Sequence, residues 1–450
     1  MPPEKKSRVD EFVKDYKGAL HKLALPMLIG FGVTTLYNVA DTIFVGGLGY
    51  ESIAALTFAF PVFFFLFAIS MGLGVGFTAT IAMAIGAKNK KRADNAAEHA
   101  MLLSAVLGIG LGALGYFLCP LIFSVLGADS NVLDLSVEYF NLIFLSLPIL
   151  FWGVFARAVL AGEGEMDMPM KVMVVSSIIN IILDPILIYT FELGISGAAL
   201  ATVISNLFVA VVYSYFLVSK KGSYVDLDLR DFSFSPEIFR HAVIIGIPAM
   251  LAQGTMALGQ AFINFMVAPF GAIAVAGFGL GVRMDFIIFI PFMAVGGALT
   301  TLAGMYYGAG RQDLIRKVLH HAISICFAVS VLAGILLYIF AEHVLSIFTG
   351  DLDVISIGAQ YIRVIVFVYP LVAISMNIGR TLSGIGKSLH GLIITSTRVF
   401  IVFIPAALYF IHVLGMGLGG IWYAILAAGV TSTAVALYLT RYIPKGESVS

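Results

Sequence analysis

Long apolar runs, broken at intervals by glycine, proline or clustered charge, dominate this chain of 450 residues. A helix that crosses a bilayer needs about 20 mostly apolar residues. By that length twelve runs qualify, at 23–45, 53–84, 98–120, 138–161, 170–190, 194–218, 243–268, 274–305, 318–341, 360–383, 390–412 and 416–440. The pattern predicts an all-α polytopic membrane protein. The second and eighth runs are long and contain glycine, so they are expected to tilt or bend.

Basic residues in the short connections orient the chain. Lys88, Lys90, Lys91 and Arg92 lie between runs two and three; Lys220, Lys221, Arg230 and Arg240 between six and seven; Arg311, Arg316 and Lys317 between eight and nine. Lys387 follows run ten, and Arg441 and Lys445 follow run twelve. The alternate connections carry Glu51, Asp129, Asp134, Glu192, Glu342, Asp351 and Asp353, with only Arg363 close to that side. Both termini are therefore expected in the cytoplasm. The acidic 161–171 connection (Glu163, Glu165, Asp167) dissents weakly, because acids count little in this rule.

The chain repeats itself at an offset of 222 (248 − 26). This register pairs Pro26 with Pro248, Gly49 with Gly271, Thr78 with Thr300, Tyr139 with Tyr361 and Pro148 with Pro370. An ungapped register across helices and loops predicts two six-helix lobes related by a pseudo-twofold along the membrane normal, as in transporters built from parallel repeats. The expected organisation is a cytoplasmic segment 1–22, a lobe 23–218, a cytoplasmic linker 219–242, a lobe 243–440 and a cytoplasmic tail 441–450.

Composition excludes other classes. The chain is 60% hydrophobic and 12% charged with a mean hydropathy of +1.01, whereas soluble domains carry about 25% charged residues. A formal net charge of +0 argues neither for nor against nucleic acid, and no nucleic-acid partner is expected. The basic N-terminus has no short apolar core before a small-residue cleavage site, so no removable signal peptide is read. Cys119 and Cys326 lie in apolar runs and read as small hydrophobes. Gly110-Leu-Gly112-Ala-Leu-Gly115 and Gly415-Met-Gly417-Leu-Gly419-Gly420 fit a dinucleotide-binding pattern, but outside a strand–helix unit they read as helix-packing glycines. Gly386-Lys387-Ser388 echoes a phosphate loop, yet Thr381 stands where its first glycine belongs. No metalloprotease or hydrolase motif occurs, so no enzyme, cofactor or structural metal is expected.

Acidic residues deep in a bilayer cost about 2.5–3.5 kcal/mol on insertion scales and mark ion paths by default. The first half holds two, Asp41 in run one and Asp184 in run five. Both runs point outward, and each acid lies five or six residues before the outer end, so the carboxylates share nearly one depth at about 1.5 Å per residue. Thr34, Tyr37, Asn38 and Asp41 share one helical face, as do Asn180 and Asp184. Ala198 and Thr202 come to similar depth in run six. Pro185 cannot bond to the Ile181 carbonyl, which frees a backbone oxygen beside Asp184. Hard oxygens of this kind suit Na⁺ or a proton shared between carboxylates. The alternative is a structural polar cluster that holds helices together.

The second half departs from this pattern. Ile263 at the 222 offset, and Ile404 after a two-residue slip that pairs Pro185 with Pro405, replace the two acids, and the charges lie instead at Arg283, Asp285, Arg363 and Arg398. Arg283 and Asp285 point to different faces. Internal ion pairing with Arg398 or Arg363 is the first reading for this group, with substrate lining as the alternative.

These residues resemble the multidrug and toxic compound extrusion (MATE) family, most specifically its prokaryotic DinF-like branch. The resemblance rests on Leu25-Pro26, Leu36-Tyr37-Asn38-Val39-Ala40-Asp41, Gly49, Asn180-Ile-Ile-Leu-Asp184-Pro185 and Gly194-Ile-Ser-Gly197-Ala198-Ala199. It implies cation or proton binding at Asp41, Asn180, Asp184 and Thr202, with the Ala198 carbonyl as a further ligand. It implies a cavity lined by Tyr37, Asn38 and Tyr139, and a bend of helix one at Pro26. The expected activity is H⁺- or Na⁺-coupled export of amphipathic, often cationic compounds by a monomer in the cell membrane. A flippase for lipid-linked saccharides of the same superfamily is the rival reading, kept alive by Arg283 and Arg398.

Overall fold

In the computed structural model the described residues are 8–125, 130–219, 223–228 and 232–444. Lys220, Lys221, Arg230, Asp129 and Lys445, and the side chain of Glu51, lie outside them. Among the described residues every regular element is helical. The chain divides into two compact units, one of residues 1–8 and 25–243 and the other of residues 9–24 and 244–450.

The first unit contains α2 (Tyr16–Gly46) from Leu25 onward, then α3 (Tyr50–Gly86), α4 (Lys90–Val125), α5 (Ser130–Gly162), α6 (Asp167–Pro185) and α7 (Gly194–Val218). Helix α5 is the central element, packed against α3, α4 and α7. Glycine sets its distance from α4. A Cβ on Gly112 would stand 2.6 Å from the Phe144 carbonyl oxygen, and one on Gly115 would enter the Phe144 ring. The first nucleotide-like glycine pattern is thus a packing face. In the second, Gly415 and Gly417 take positive φ in the turn that opens the last helix.

The acids of the 161–171 connection are tied within this unit. Arg8 donates to the Gly164 carbonyl at 2.9 Å and pairs with Glu165. Glu163 is buried, and its Oε2 accepts from Ser223 Oγ (2.8 Å), Tyr224 N–H (2.8 Å) and Val225 N–H (3.0 Å). These residues serve as anchors for the segment after α7, which a charge-counting rule does not register.

The second unit holds α1 (Val9–Lys14) and the first turns of α2. It continues with α8 (Pro236–Val267) from Ile244, α9 (Ala272–Gly308), α10 (Gln312–Ser346), α11 (Leu352–Ile365), α12 (Val368–Gly384), α13 (Ser388–Ser396), α14 (Ile404–His412) and α15 (Gly417–Leu439). Helix α2 begins earlier than hydrophobicity alone predicts, because its first turns are amphipathic: Leu20 and Leu23 are buried while Lys17 and Lys22 are exposed. Tyr306 donates to the Phe12 carbonyl at 2.8 Å, which holds α1 against α9.

Among the described residues eleven helices are long and apolar enough to cross a membrane, and α11 with α12 meets the same test together as a twelfth span. That tenth span was expected to be one helix over 360–383. It is two, bent by 52°. Pro370 contributes to the break, since it has no N–H for the Val366 carbonyl. The long α3 and α9 run as single helices through Pro61 and Pro291.

Candidate cation site

Three helices of the first unit bring the oxygens together. On α6, Ser177, Asn180 and Asp184 are buried and spaced i, i+3, i+7, so one face of the helix is polar. The helix then passes at Pro185 into a π-helical turn, Ile186–Thr190. Such turns concentrate at functional sites because they leave the regular ladder partly unpaired. Tyr189, in that turn, donates to the Phe44 carbonyl of α2 at 2.5 Å. The contact lies three residues beyond Asp41 and five beyond Asp184, which holds the two acids at matching heights.

Helix α7 starts against the same turn. Gly197 allows the approach: a Cβ there would lie 2.7 Å from the Leu187 carbonyl carbon and 2.8 Å from the Ile188 nitrogen. Ala198, Thr202 and Ser205 follow on one face.

The polar atoms brought here are strongly underused. Asp184 is 0% exposed, and among the described residues neither of its carboxylate oxygens has a hydrogen-bond partner. Both amide atoms of Asn180, Oδ1 of Asp41 and Oγ of Ser205 are likewise buried and unpartnered. Native buried polar atoms are nearly all satisfied, so this concentration marks a place where something else bonds. Asp41 lies within electrostatic reach of Asp184, and both act on Tyr37 and Tyr139. Among the described residues no cluster of three or more His, Cys, Asp or Glu forms a metal centre. The donor set is one of hard oxygens, suited to H⁺ or Na⁺.

The other sequence candidates fall as follows. Thr34 spends its hydroxyl on the Gly30 carbonyl at 2.9 Å. Asn38 is exposed and Tyr37 half-buried, whereas Tyr139 is 5% exposed and packs on Phe63 and Phe140. Pro26 is buried inside the continuous α2. Ser177 and Ser205 escaped the sequence reading although their spacing from Asp184 and Ala198 was there to be seen.

In the second unit the expected ion pair does not form. Asp285 accepts from Tyr361 and Tyr369, while Arg363 reaches out to Glu342 at 2.9 Å. Tyrosine hydroxyls satisfy the buried acid without bringing a second charge into the core. Arg283 is exposed, and Arg398 lies half-buried on a second π-helical turn, Thr397–Phe403, with no carboxylate partner among the described residues. Sequence reasoning also passed over Arg157 and Arg380. Arg157 contacts Met71 Sδ at 3.1 Å, and Arg380 is half-buried beside Gly296.

Known proteins resemble this chain over nearly its whole length. The MatE family model matches the chain twice, over residues 26–186 and 248–408, in the 222-residue register of the repeat. The chain is 29% identical to the FAD transporter of Shewanella oneidensis, with 94% of each chain covered. It is 27% identical to the probable multidrug resistance protein NorM of Thermotoga maritima, over 93% of this chain and 90% of that one. A solved outward-facing multidrug resistance MATE family transporter of the MOP superfamily superimposes with a TM-score of 0.93 at 32% identity, covering 98% of both chains. With twelve spanning segments, two lobes and a matching family model over most of its length, the chain belongs to the MATE family of multi-pass membrane transporters.

Proposed function

We propose that this transporter is a cation-coupled antiporter that exports amphipathic organic compounds, with its coupling ion bound at Asp41, Asn180 and Asp184. The observation that carries the reading is Asp184, fully buried with both oxygens unpartnered. An ionised carboxylate left in this state costs several kcal/mol, and a proton or Na⁺ on the site removes that cost. Asn180 and Asp41 supply further oxygens, with Thr202 and the Ala198 carbonyl contributed by α7. Pro185 and the π-helical turn leave backbone oxygens beside them.

Coupling follows from differential affinity. The ion stabilises one orientation of the carrier and the organic substrate the other, so each crosses in exchange for its partner. The outer-half position of both acids suits ion entry from outside, with both termini in the cytoplasm and the protein in the cell membrane.

The test is uptake of a fluorescent organic cation into inverted vesicles under imposed H⁺ or Na⁺ gradients. Gradient-driven uptake is expected, with loss in Asp41→Asn and Asp184→Asn while the variants still insert. Wild-type rates in both variants would overturn the assigned site, and the effective gradient names the ion.

A second reading concerns the substrate. The FAD transporter among the relatives, together with Arg157, Arg380 and Arg398, none of them ion-paired to a carboxylate among the described residues, favours an anionic aromatic substrate such as a flavin dinucleotide. Competition of unlabelled flavin dinucleotide with the organic cation separates the two.

A further inference from the structure

Asp285 sits on α9 with 8% of its surface exposed, and both of its carboxylate oxygens are taken by phenols. Tyr361 donates to Oδ2, and Tyr369 donates to Oδ1 at 2.8 Å. The two tyrosines come from opposite sides of a break: Tyr361 from α11 and Tyr369 from α12, whose axes differ by 52°. One carboxylate therefore holds both arms of a broken membrane-spanning helix. Glycine gives α11 this access, since a Cβ on Gly281, one turn before Asp285, would strike the Tyr361 ring.

The first unit shows the same framework without the acid. At the 222 offset Asp285 corresponds to Phe63, Tyr369 to Leu147 and Tyr361 to Tyr139. There Phe63 packs edge-on against Tyr139, with ring centroids 6.2 Å apart. Helix α5 runs through Pro148, the counterpart of Pro370, without a break. Proline alone does not divide the span, and the polar clamp accompanies the divided one.

No cation neutralises Asp285 among the described residues. Arg283, two residues away on α9, is exposed. On α11, Arg363 is paired with Glu342; on α12, Arg380 lies beside Gly296, three turns further along α9. Helix α10 adds apolar Leu337, Ala341 and Leu345 to this core. The charges of α1 meet α9 near Tyr306, about 30 Å away along the helix. Helix α15 contributes Trp422, 1% exposed, with its ring against Tyr361 at 4.9 Å and its Nε1–H without an acceptor. The network thus holds one unused donor.

We propose that Asp285 is a proton-binding site of the second lobe, and that its protonation resets the bend between α11 and α12. The ionised carboxylate accepts from both phenols and draws the two arms together. On protonation the added O–H is itself a donor, and one phenol loses its charged acceptor. The clamp then holds a single arm. This site is separate from Asp41 and Asp184 and stands whether or not those residues couple transport.

The test uses full-length protein in lipid nanodiscs, in an Asp41→Asn/Asp184→Asn background that silences the first-lobe acids. Infrared pH-difference spectra read the C=O stretch of a protonated carboxyl, and spin labels at Ser356 on α11 and Ile374 on α12 read the distance across the bend. A titrating carboxyl band lost in Asp285→Asn is expected, with a change of distance at the same midpoint. Tyr369→Phe should keep the band and raise proton affinity about tenfold, through loss of one hydrogen bond to the charged form. No titrating band between about pH 4 and 9 that depends on Asp285, a distance indifferent to pH, or a distance change that survives Asp285→Asn would overturn the proposal. Should Asp285→Asn fail to fold, an unmoved midpoint in Tyr369→Phe overturns it alone.

Discussion

Replacing Glu163 with glutamine should abolish a pH dependence built into the attachment of the segment after α7. Burial is the leading influence on this carboxyl. It outweighs the bonds from Val225, Ser223 and Tyr224 and pushes the group from its usual 4.5 up to about 7. When the segment opens, Glu163 becomes solvated and returns toward 4.5. The closed form therefore holds an extra proton between these values, and closure weakens as pH rises through that window. At about 1.4 kcal/mol per tenfold change in proton affinity, the loss amounts to about 3 kcal/mol, complete above pH 7 and absent below 4.5.

Hydrogen exchange at the Tyr224 and Val225 amides, corrected for the intrinsic pH dependence of exchange, measures this directly. Wild type should lose about 3 kcal/mol of protection from about pH 4.5 to above 7, while Glu163→Gln stays level because its amide does not titrate. Glu163→Ala removes the acceptor of three bonds and should expose both amides at every pH, at a cost of about 1 kcal/mol or more per bond. Protection that rises with pH in wild type, or a slope that persists in Glu163→Gln, would refute the reasoning.

Further outcomes follow from packing and hydrogen bonding. Gly112→Ala places a methyl group 2.6 Å from the Phe144 carbonyl and should lower stability by about 1–3 kcal/mol. Gly110→Ala, with nothing within 4 Å, should leave the melting temperature in detergent unchanged or raise it; equal losses in both would refute the α4–α5 contact. Tyr189→Phe removes the bond to the Phe44 carbonyl and should cost about 1 kcal/mol, read as a small drop in thermal midpoint. Arg8→Ala should speed exchange of the amides around Gly164 and Glu165 by a modest factor, since a pair whose arginine is 32% exposed contributes only about 1 kcal/mol or less.

Hydrophobic run length, repeat register and residue type were enough to determine much of this protein. A bilayer permits few backbone solutions, so twelve apolar runs are legible as twelve spans, and the 222 offset carries through to the bounds of α3 against α9 and α4 against α10. Asp41, Asn180 and Asp184 were visible for the same reason: acids and amides in apolar runs are costly enough to need an explanation. The unsatisfied state of their atoms was not, because satisfaction depends on what neighbouring helices bring. Only tertiary structure decided that Ser205 Oγ is buried without a partner among the described residues, that Glu163 and Glu165 are anchors, and that Asp285 bonds two tyrosines instead of an arginine. Tyr361 and Tyr369 lie 76 and 84 residues from Asp285. Periodicity describes which face of a helix a residue occupies, and partners at that separation are chosen by packing: Gly281 lets α11 close on α9, while the 52° bend between α11 and α12 brings the second phenol in.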